Sequence, residues 1–239
     1  MYNTIKKIFI RVKKTFLTKY LGTVTHFKVN TKVACLTFDD GPHPVYTPLL
    51  LDLLNHFDVK ATFFMVGENA CKYPDLVKRI RSHGHTIGNH TWNHKVFPDL
   101  TSFQRWSQIK SCAEHITPVK KKFFRPPWGK QNLRSRLDTF ILGYDVIGWN
   151  VSVNDWIEYE PENLLNLLRI SIKPGSIILL HDNIYRSHNN ETVSDIYEDR
   201  GVMLKALEIF LKSYSKEYQF KTIDKMFQIG VPVRKYWIH

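Results

Sequence analysis

Seven short apolar or β-branched runs, separated by helical patterns, constrain the fold of this chain more than any other feature. Residues 33–38, 61–66, 85–89, 122–125, 143–149, 176–181 and 219–223 read as strands. Between them, 48–57, 74–83, 102–116, 132–140, 161–172 and 202–214 read as helices, with Thr47 the expected N-cap and Pro48 the first helical residue of the first one. Strands alternating with helices imply parallel pairing through crossover connections. The expectation is an α/β fold, undivided by any repeat, low-complexity tract or linker.

The chain has 239 residues, enough for one large domain with a substantial core. Its cysteines, Cys35, Cys71 and Cys112, are widely spaced and form no C-x-x-C pair, which argues against a zinc ribbon or a disulfide framework. Cys35, inside an apolar run, reads as a small buried hydrophobe. The net charge of +12 is uneven: residues 1–38 hold eight Lys/Arg and no acid, leaving +4 for the other 201 residues. A nucleic-acid binder spreads its basic residues over the folded domain, so nucleic acid is not an expected partner.

We therefore divide the chain into a basic N-terminal helical segment, 1–30, and one α/β domain, 31–239. Lys6, Lys7, Arg11, Lys13 and Lys14 interrupt the apolar residues, leaving no export-signal core, and no stretch is long enough to cross a bilayer. On a helical wheel Ile5, Ile8, Phe9, Val12, Phe16 and Tyr20 share one face. Residues 5–20 could lie on an anionic membrane, or dock on the domain as its first helix. The expected location is the cytoplasm or the cytoplasmic membrane face, with export the alternative.

Chemistry-bearing residues gather at one edge. Asp39, Asp40, His90, Arg125, Asp155 and His181 all fall at or just past the C-terminal end of an expected strand. That is the edge where α/β folds build their sites.

Thr37-Phe38-Asp39-Asp40-Gly41-Pro42 places two carboxylates before a forced turn; leaving both ionised calls for a cation or a hydrogen-bonding partner. An ordinary Asp-Gly-Pro surface turn is the bland alternative. His90 and His94, spaced i and i+4, would put two imidazoles on one side of a helical turn, within reach of one ion. His83 and His85 are offset and read as surface or supporting residues. One carboxylate and two imidazoles make three ligands with an open position, the count of a catalytic zinc-type site. A metal there turns water into a nucleophile and polarises a carbonyl.

Arg125, on the stiff turn Arg125-Pro126-Pro127-Trp128, could pair with the spare carboxylate, and the turn could aim a backbone N–H at an oxyanion. The segment 149–156 offers Trp149, Trp156 and Asp155, either for a sugar-facing cleft or for the core. His181 ends an apolar strand and is a candidate proton donor or a structural histidine.

With these motifs in order, the chain resembles the NodB-homology polysaccharide deacetylases, carbohydrate esterase family four. The resemblance covers about residues 31–225 and rests on TFDDGP at 37–42, H-T-x-x-H at 90–94, R-P-P-W at 125–128, a segment ending in D-W at 150–156, and L-L-H at 179–181. It implies a distorted (β/α) barrel of seven or eight strands. It also implies one divalent ion, first Zn²⁺, with Co²⁺ or another divalent ion the alternative, held by Asp40, His90 and His94. Asp39 would be the base, oriented by Arg125, and His181 the acid that protonates the leaving amine. Pro127, Trp128, Asp155, Trp156 and Leu179 would meet the substrate, with Trp156 and Leu179 enclosing the acetyl methyl and the backbone near Trp128 facing the oxyanion.

The implied reaction removes N-acetyl groups from GlcNAc-containing glycans or glycolipids. An O-acetyl esterase on xylan-like polysaccharide, or a weakly catalytic glycan-binding barrel, are the alternatives. The fourth motif departs from the family pattern: Ser152 stands where an Asp commonly supports the acid histidine. A serine can hydrogen-bond but supplies no negative charge to raise the His181 pKa, while Asp155 and the other motif residues remain and activity is still expected. The polar segment 182–201 is long enough to border the cleft.

Overall fold

The computed structural model describes residues 17–157, 160–186 and 198–236. Its strands are β1 Thr23–Lys28, β2 Val33–Asp39, β3 Thr62–Met65, β4 Thr86–Asn89, β5 Phe123–Phe124, β6 Asp145–Val146, β7 Val151–Ser152, β8 Ile177–His181, β9 Gln219–Phe220 and β10 Val231–Lys235. All seven residues of β2 are buried. A strand covered on both faces belongs inside a parallel sheet flanked by helices, and β2 indeed pairs in parallel with β3, β8 and β9. The strand order β6-β5-β4-β3-β2-β8-β7, with β9 beside β2, is the expected distorted barrel.

Side chains of β2 alternate between two cores, as a period of two dictates. Ala34, Leu36 and Phe38 join the large cluster under the helices, while Val33 and Cys35 join the barrel interior with Phe64, Phe123 and Ile177. Thr37 and Asp39 continue the interior side. In β8, Ile178 and Leu180 face the helices, which leaves Leu179 and His181 on the side of Ile177. Register pairs Asp39 with His181 across the two strands. A slip of one residue would send both into the helix layer.

The helices follow the sequence expectations closely, with three differences. The first runs Tyr46–His56 and is preceded by Val45, without a side-chain cap. Pro48 is tolerated within the first turn because those N–H groups have no intrahelical acceptor. Thr47, freed from capping, uses its hydroxyl to accept from the His43 N–H and to donate to Asp182. Two short helices, Gly67–Lys72 and Ile223–Ile229, and one short strand, β7, were not expected.

The division at residue 30 is corrected. Thr23–Lys28 is a strand, paired antiparallel with β10 from Thr23↔Lys235 to Lys28↔Val231. It also bridges Val24 to Ile147, just past β6, and His26 to Ser176, just before β8, near the opening between the end strands β6 and β7 where the main sheet does not close. The amphipathic stretch proposed for residues 5–20 lies outside the described residues up to residue 16; residues 17–21 are helical. Among the described residues, no helix is long and apolar enough to cross a membrane.

Candidate metal centre and active site

At the end of β2 the chain turns, and the turn presents both carboxylates. Asp40 sits at φ 72°, in the left-handed region that Asp tolerates better than most residues. Its carbonyl accepts from Asn69 Nδ2 at 2.8 Å and Asn183 Nδ2 at 3.3 Å. Gly41 is required by close approach: a Cβ there would lie 2.2 Å and 2.4 Å from the Asp182 carboxylate oxygens.

His90 and His94 converge as expected, but not on a helical turn. The segment is a loop with Thr91 at φ 69° and His94 at φ 54°. Side chains substitute for helical hydrogen bonds: Asn89 Oδ1 accepts from Thr91 N, Thr91 Oγ1 from His94 N, and Gln108 Oε1 from Trp92 N and Asn93 N. The i, i+4 spacing works here through this side-chain scaffold.

The protonation pattern identifies what the three groups can hold. His90 Nδ1 lies 2.7 Å from the Arg125 carbonyl, which only accepts, so the proton is on Nδ1 and the Nε2 lone pair is free. That Nε2 faces Asp40 Oδ1 at 3.3 Å, and His94 Nε2 faces the same oxygen at 3.3 Å. Burial pushes the His94 imidazole down to about 4, against the pull of Asp40, so the His94 ring is neutral at pH 7. Burial alone would raise the Asp40 carboxyl, but His94 and His90 hold it well below the usual carboxylate range. Asp40 Oδ1 is buried and has no hydrogen-bond partner. Lone pairs converging on an unpartnered carboxylate oxygen need a cation, and the donor set fits a divalent ion of the zinc type.

Arg125 is fully buried beneath this centre. Its guanidinium donates to Asp39 Oδ1 at 2.7 Å, Thr37 Oγ1 at 2.9 Å, Ile147 O at 3.2 Å and Gly148 O at 2.9 Å. Three of these bonds fix the guanidinium and the fourth holds one Asp39 carboxylate oxygen, Oδ1; the other, Oδ2, lies 3.8 Å from His90 Nε2.

Across the centre, His181 has the charged partner that Ser152 does not supply. Asp155, not residue 152, supplies the charge: Oδ2 accepts the His181 backbone N–H and Oδ1 its Nδ1–H, each at 2.9 Å. Burial opposes protonation of His181, but Asp155 outweighs it and lifts the imidazole to about 9. Arg200, also buried, donates to the Asp155 carbonyl at 2.9 Å and approaches its carboxylate at 3.4 Å. Asp155 is therefore buried behind His181 and does not line the cleft. Ser152 only reaches Asn154 Oδ1, at 3.3 Å.

These groups open into a cleft of about 410 Å³, lined also by Trp128, Trp149, Trp156, Leu179, Ile184 and Tyr185. Aromatic faces around a polar centre suit a pyranose ring. Gly129, at φ 69°, is needed because a Cβ would meet the Trp149 ring at 2.7 Å. Pro127, expected to touch substrate, is buried and does not line the cleft. Burial pushes Asp182 up to about 7, although the Thr47 hydroxyl donating to it works the other way. His85, read as surface or supporting, is buried, and its Nδ1 accepts from Ala61 N at 3.1 Å, far along the strand from this edge.

Three participants escaped the sequence reading. Tyr185 donates its backbone N–H to Asp40 Oδ2 at 3.0 Å and its hydroxyl to Glu68. Arg200 and Asp182 are the others. The only signal was that Asp182 and Tyr185 directly follow His181; Arg200 is brought in by tertiary folding alone.

The polysaccharide deacetylase family profile matches residues 27–147. The chitooligosaccharide deacetylase of Azorhizobium caulinodans is 36% identical over 166 residues, 68% of this chain and 79% of that protein. A peptidoglycan-N-acetylglucosamine deacetylase of Bacillus cereus is 33% identical over 202 residues, 82% of this chain and 89% of the relative. The crystal structure of the Bc1960 peptidoglycan N-acetylglucosamine deacetylase superposes with a TM-score of 0.78 at 30% identity, covering 92% of this chain and 98% of that one.

Proposed function

This chain belongs to the polysaccharide deacetylase family, and on that premise we propose how its residues divide the work of hydrolysing an N-acetyl group. The protein is a metal-dependent hydrolase of linear amides acting on N-acetylated glycans. The observation that carries the reading is the unpartnered Asp40 Oδ1 between two imidazole nitrogens, with Asp39 on one side and His181 on the other.

A divalent ion bound by Asp40, His90 and His94 would supply Lewis acidity, polarising the acetamide carbonyl and lowering the pKa of water. Asp39, its Oδ1 held by Arg125, uses Oδ2 to take the proton of the attacking water. A turn with Trp128 at φ 53° directs backbone N–H toward the developing oxyanion. His181 carries its proton on Nδ1 toward Asp155, and Nε2 delivers a second proton to the departing amine nitrogen. Products are the free amine on the sugar and acetate. Leu179 and Trp156, whose ring stands edge-on to His181 at 5.2 Å, bound the space for the acetyl methyl.

For the ion we propose Zn²⁺, since two imidazoles and one carboxylate suit it, with Co²⁺ as the substitute to test. For the glycan we propose GlcNAc-containing oligomers of the chitin or peptidoglycan type. We propose further that residues 5–20 bring the enzyme to an anionic membrane surface on the cytoplasmic side, which the run of cations without acid supports.

The test is mass spectrometry of acetylated chito-oligomers, peptidoglycan and acetylxylan after incubation with the enzyme and Zn²⁺ or Co²⁺. Loss of acetyl mass from the amino sugars is the expected result. Release from acetylxylan alone would replace the reading with an O-acetyl esterase, and binding without release would make the barrel a glycan-binding module.

A further inference from the structure

The helix Leu133–Ile141 is built inside out. Its buried residues are Ser135, Arg136, Asp138 and Thr139. Its apolar residues face outward: Leu133, Leu137, Phe140 and Ile141 are 43%, 41%, 51% and 62% exposed. These four recur at i, i+4, i+7 and i+8, one continuous stripe on the helix. On the inward side Asp138 accepts from Arg105 Nε at 2.6 Å and Trp106 Nε1 at 2.9 Å, and Thr139 Oγ1 donates to the Arg136 carbonyl at 2.9 Å. The polar face is therefore anchored, and the outward stripe is a stable property of the fold.

The surroundings of the stripe are cationic. Arg134 and Lys130 are exposed beside it, and Lys122 Nζ reaches the Leu142 carbonyl at 3.4 Å; against these cations Asp99 is exposed on the neighbouring turn, while the only carboxylate of the helix, Asp138, is buried. Arg136 Nη1 donates to the Leu21 carbonyl at 3.1 Å, so the N-terminal chain joins the domain against this helix. Tyr20, 47% exposed, and Lys19 lie next to that joint.

We propose that this stripe is a membrane-docking face: its four apolar side chains enter the outer acyl region of an anionic bilayer, and Arg134, Lys130 and Lys19 meet the headgroups. The proposal rests on the membrane reading above and adds a second, folded contact to the N-terminal one. A second copy of the chain fits less well, because four side chains fall far short of the ~800 Å² per partner of a stable interface. Docking on this face also sets the cleft beside the bilayer, since the helix begins just after Trp128 and Gly129 at the cleft wall. The favoured substrate is then a glycan held close to the membrane.

The experiment is co-sedimentation of the full chain with vesicles of equal parts phosphatidylglycerol and phosphatidylcholine. The Leu137→Ser/Phe140→Ser variant should bind at least about tenfold more weakly. Its melting temperature and its turnover of soluble chito-oligomers should stay unchanged. Phe140→Trp, a folded reporter, should shift its emission to the blue on adding vesicles and be quenched by brominated lipid. If Leu137→Ser/Phe140→Ser binds like the parent while Lys13→Glu/Lys14→Glu does not bind, the membrane reading stands and this face falls. If the parent does not bind, both fall. Emission from the Phe140→Trp reporter that is already blue without lipid would mean that the chain covers its own stripe. A dimer dissociated by Leu137→Ser/Phe140→Ser would mean that a second copy does; either result overturns the proposal.

Discussion

Asp155 holds His181 at two points, accepting its backbone N–H and its Nδ1–H, each at 2.9 Å. The grip fixes both the orientation of the ring and its proton, and Arg200 fixes Asp155 in turn. Replacing the carboxylate with an amide separates those effects, because Asn keeps the shape and loses the charge. Against burial, which favours the neutral ring, Asp155 raises His181 to about 9. In Asp155→Asn that value should fall toward the ordinary ~6.5 of histidine. A general acid works only while protonated, so the alkaline limb of the kcat/KM profile should move to lower pH by more than one unit. The bound ion acts on both proteins and cancels in the comparison. An unmoved alkaline limb would detach Asp155 from the acid.

The same relationship has a signature in stability. A histidine whose folded-state value lies above its unfolded one adds stability that is complete below ~6.5 and declines as the pH rises through about 9. In chelator, the melting-temperature advantage of the parent over Asp155→Asn should therefore be largest near pH 6 and shrink by pH 9. An advantage that grows with pH would reverse the assignment.

Ligands and base should separate cleanly on mutation. His90→Ala or His94→Ala removes one of three ligands, so metal content and turnover should both collapse. Asp39→Asn should keep its metal, since Asp40 is the ligand, and lose ~10²–10⁴-fold in turnover. Elemental analysis alongside rates distinguishes the cases; a loss below tenfold in Asp39→Asn would remove it from the role of base.

Ile184, Tyr185 and Arg186 place the start of the 182–201 segment in the cleft wall. Shortening the segment between residues 187 and 197 should alter relative rates on chito-oligomers, peptidoglycan and acetylxylan, with metal content unchanged. Tyr185→Phe, which keeps the backbone N–H on Asp40, should retain its ion. Equal rate changes on every substrate would show that the segment does not select among them.

Removing residues 1–16 should release the protein from anionic vesicles and leave its activity on soluble oligomers near normal. The cut stops there because Leu21 and Gly22 are bonded to Arg136 and Arg234 of the domain. Vesicle binding by the parent should fall steeply with salt, as screened charges require. Unfolding of the truncated protein would assign the segment to the core instead.

The parallel sheet and the catalytic edge were legible because both are written locally. Val33–Asp39 and Ile177–His181 are apolar runs ending in chemistry, and a period of two decides which way Asp39 and His181 face. The loop that joins His90 to His94 was not legible, because Asn89, Thr91 and Gln108 build it from side-chain bonds that no periodicity encodes. Nor was the partner of His181. A motif position pointed to Ser152, while the charge comes from Asp155, and that is a matter of where two segments meet. The ribbon of β1 and β10 joins residues at opposite ends of the sequence, and its strands are too polar to announce themselves.

That ribbon gives the enzyme a time of birth. Val24 of β1 accepts from Gly148 N at 2.8 Å, Gly148 accepts from Arg125, and Arg125 holds Asp39. The first strand cannot be locked until Val231–Lys235 has left the ribosome, which at ~5–20 residues per second is on the order of ten seconds or more after Thr23 emerges. A nascent chain thus carries Asp39, Arg125 and His181 before β1 has its partner strand, and the ribbon beneath them closes only after that edge has been synthesised.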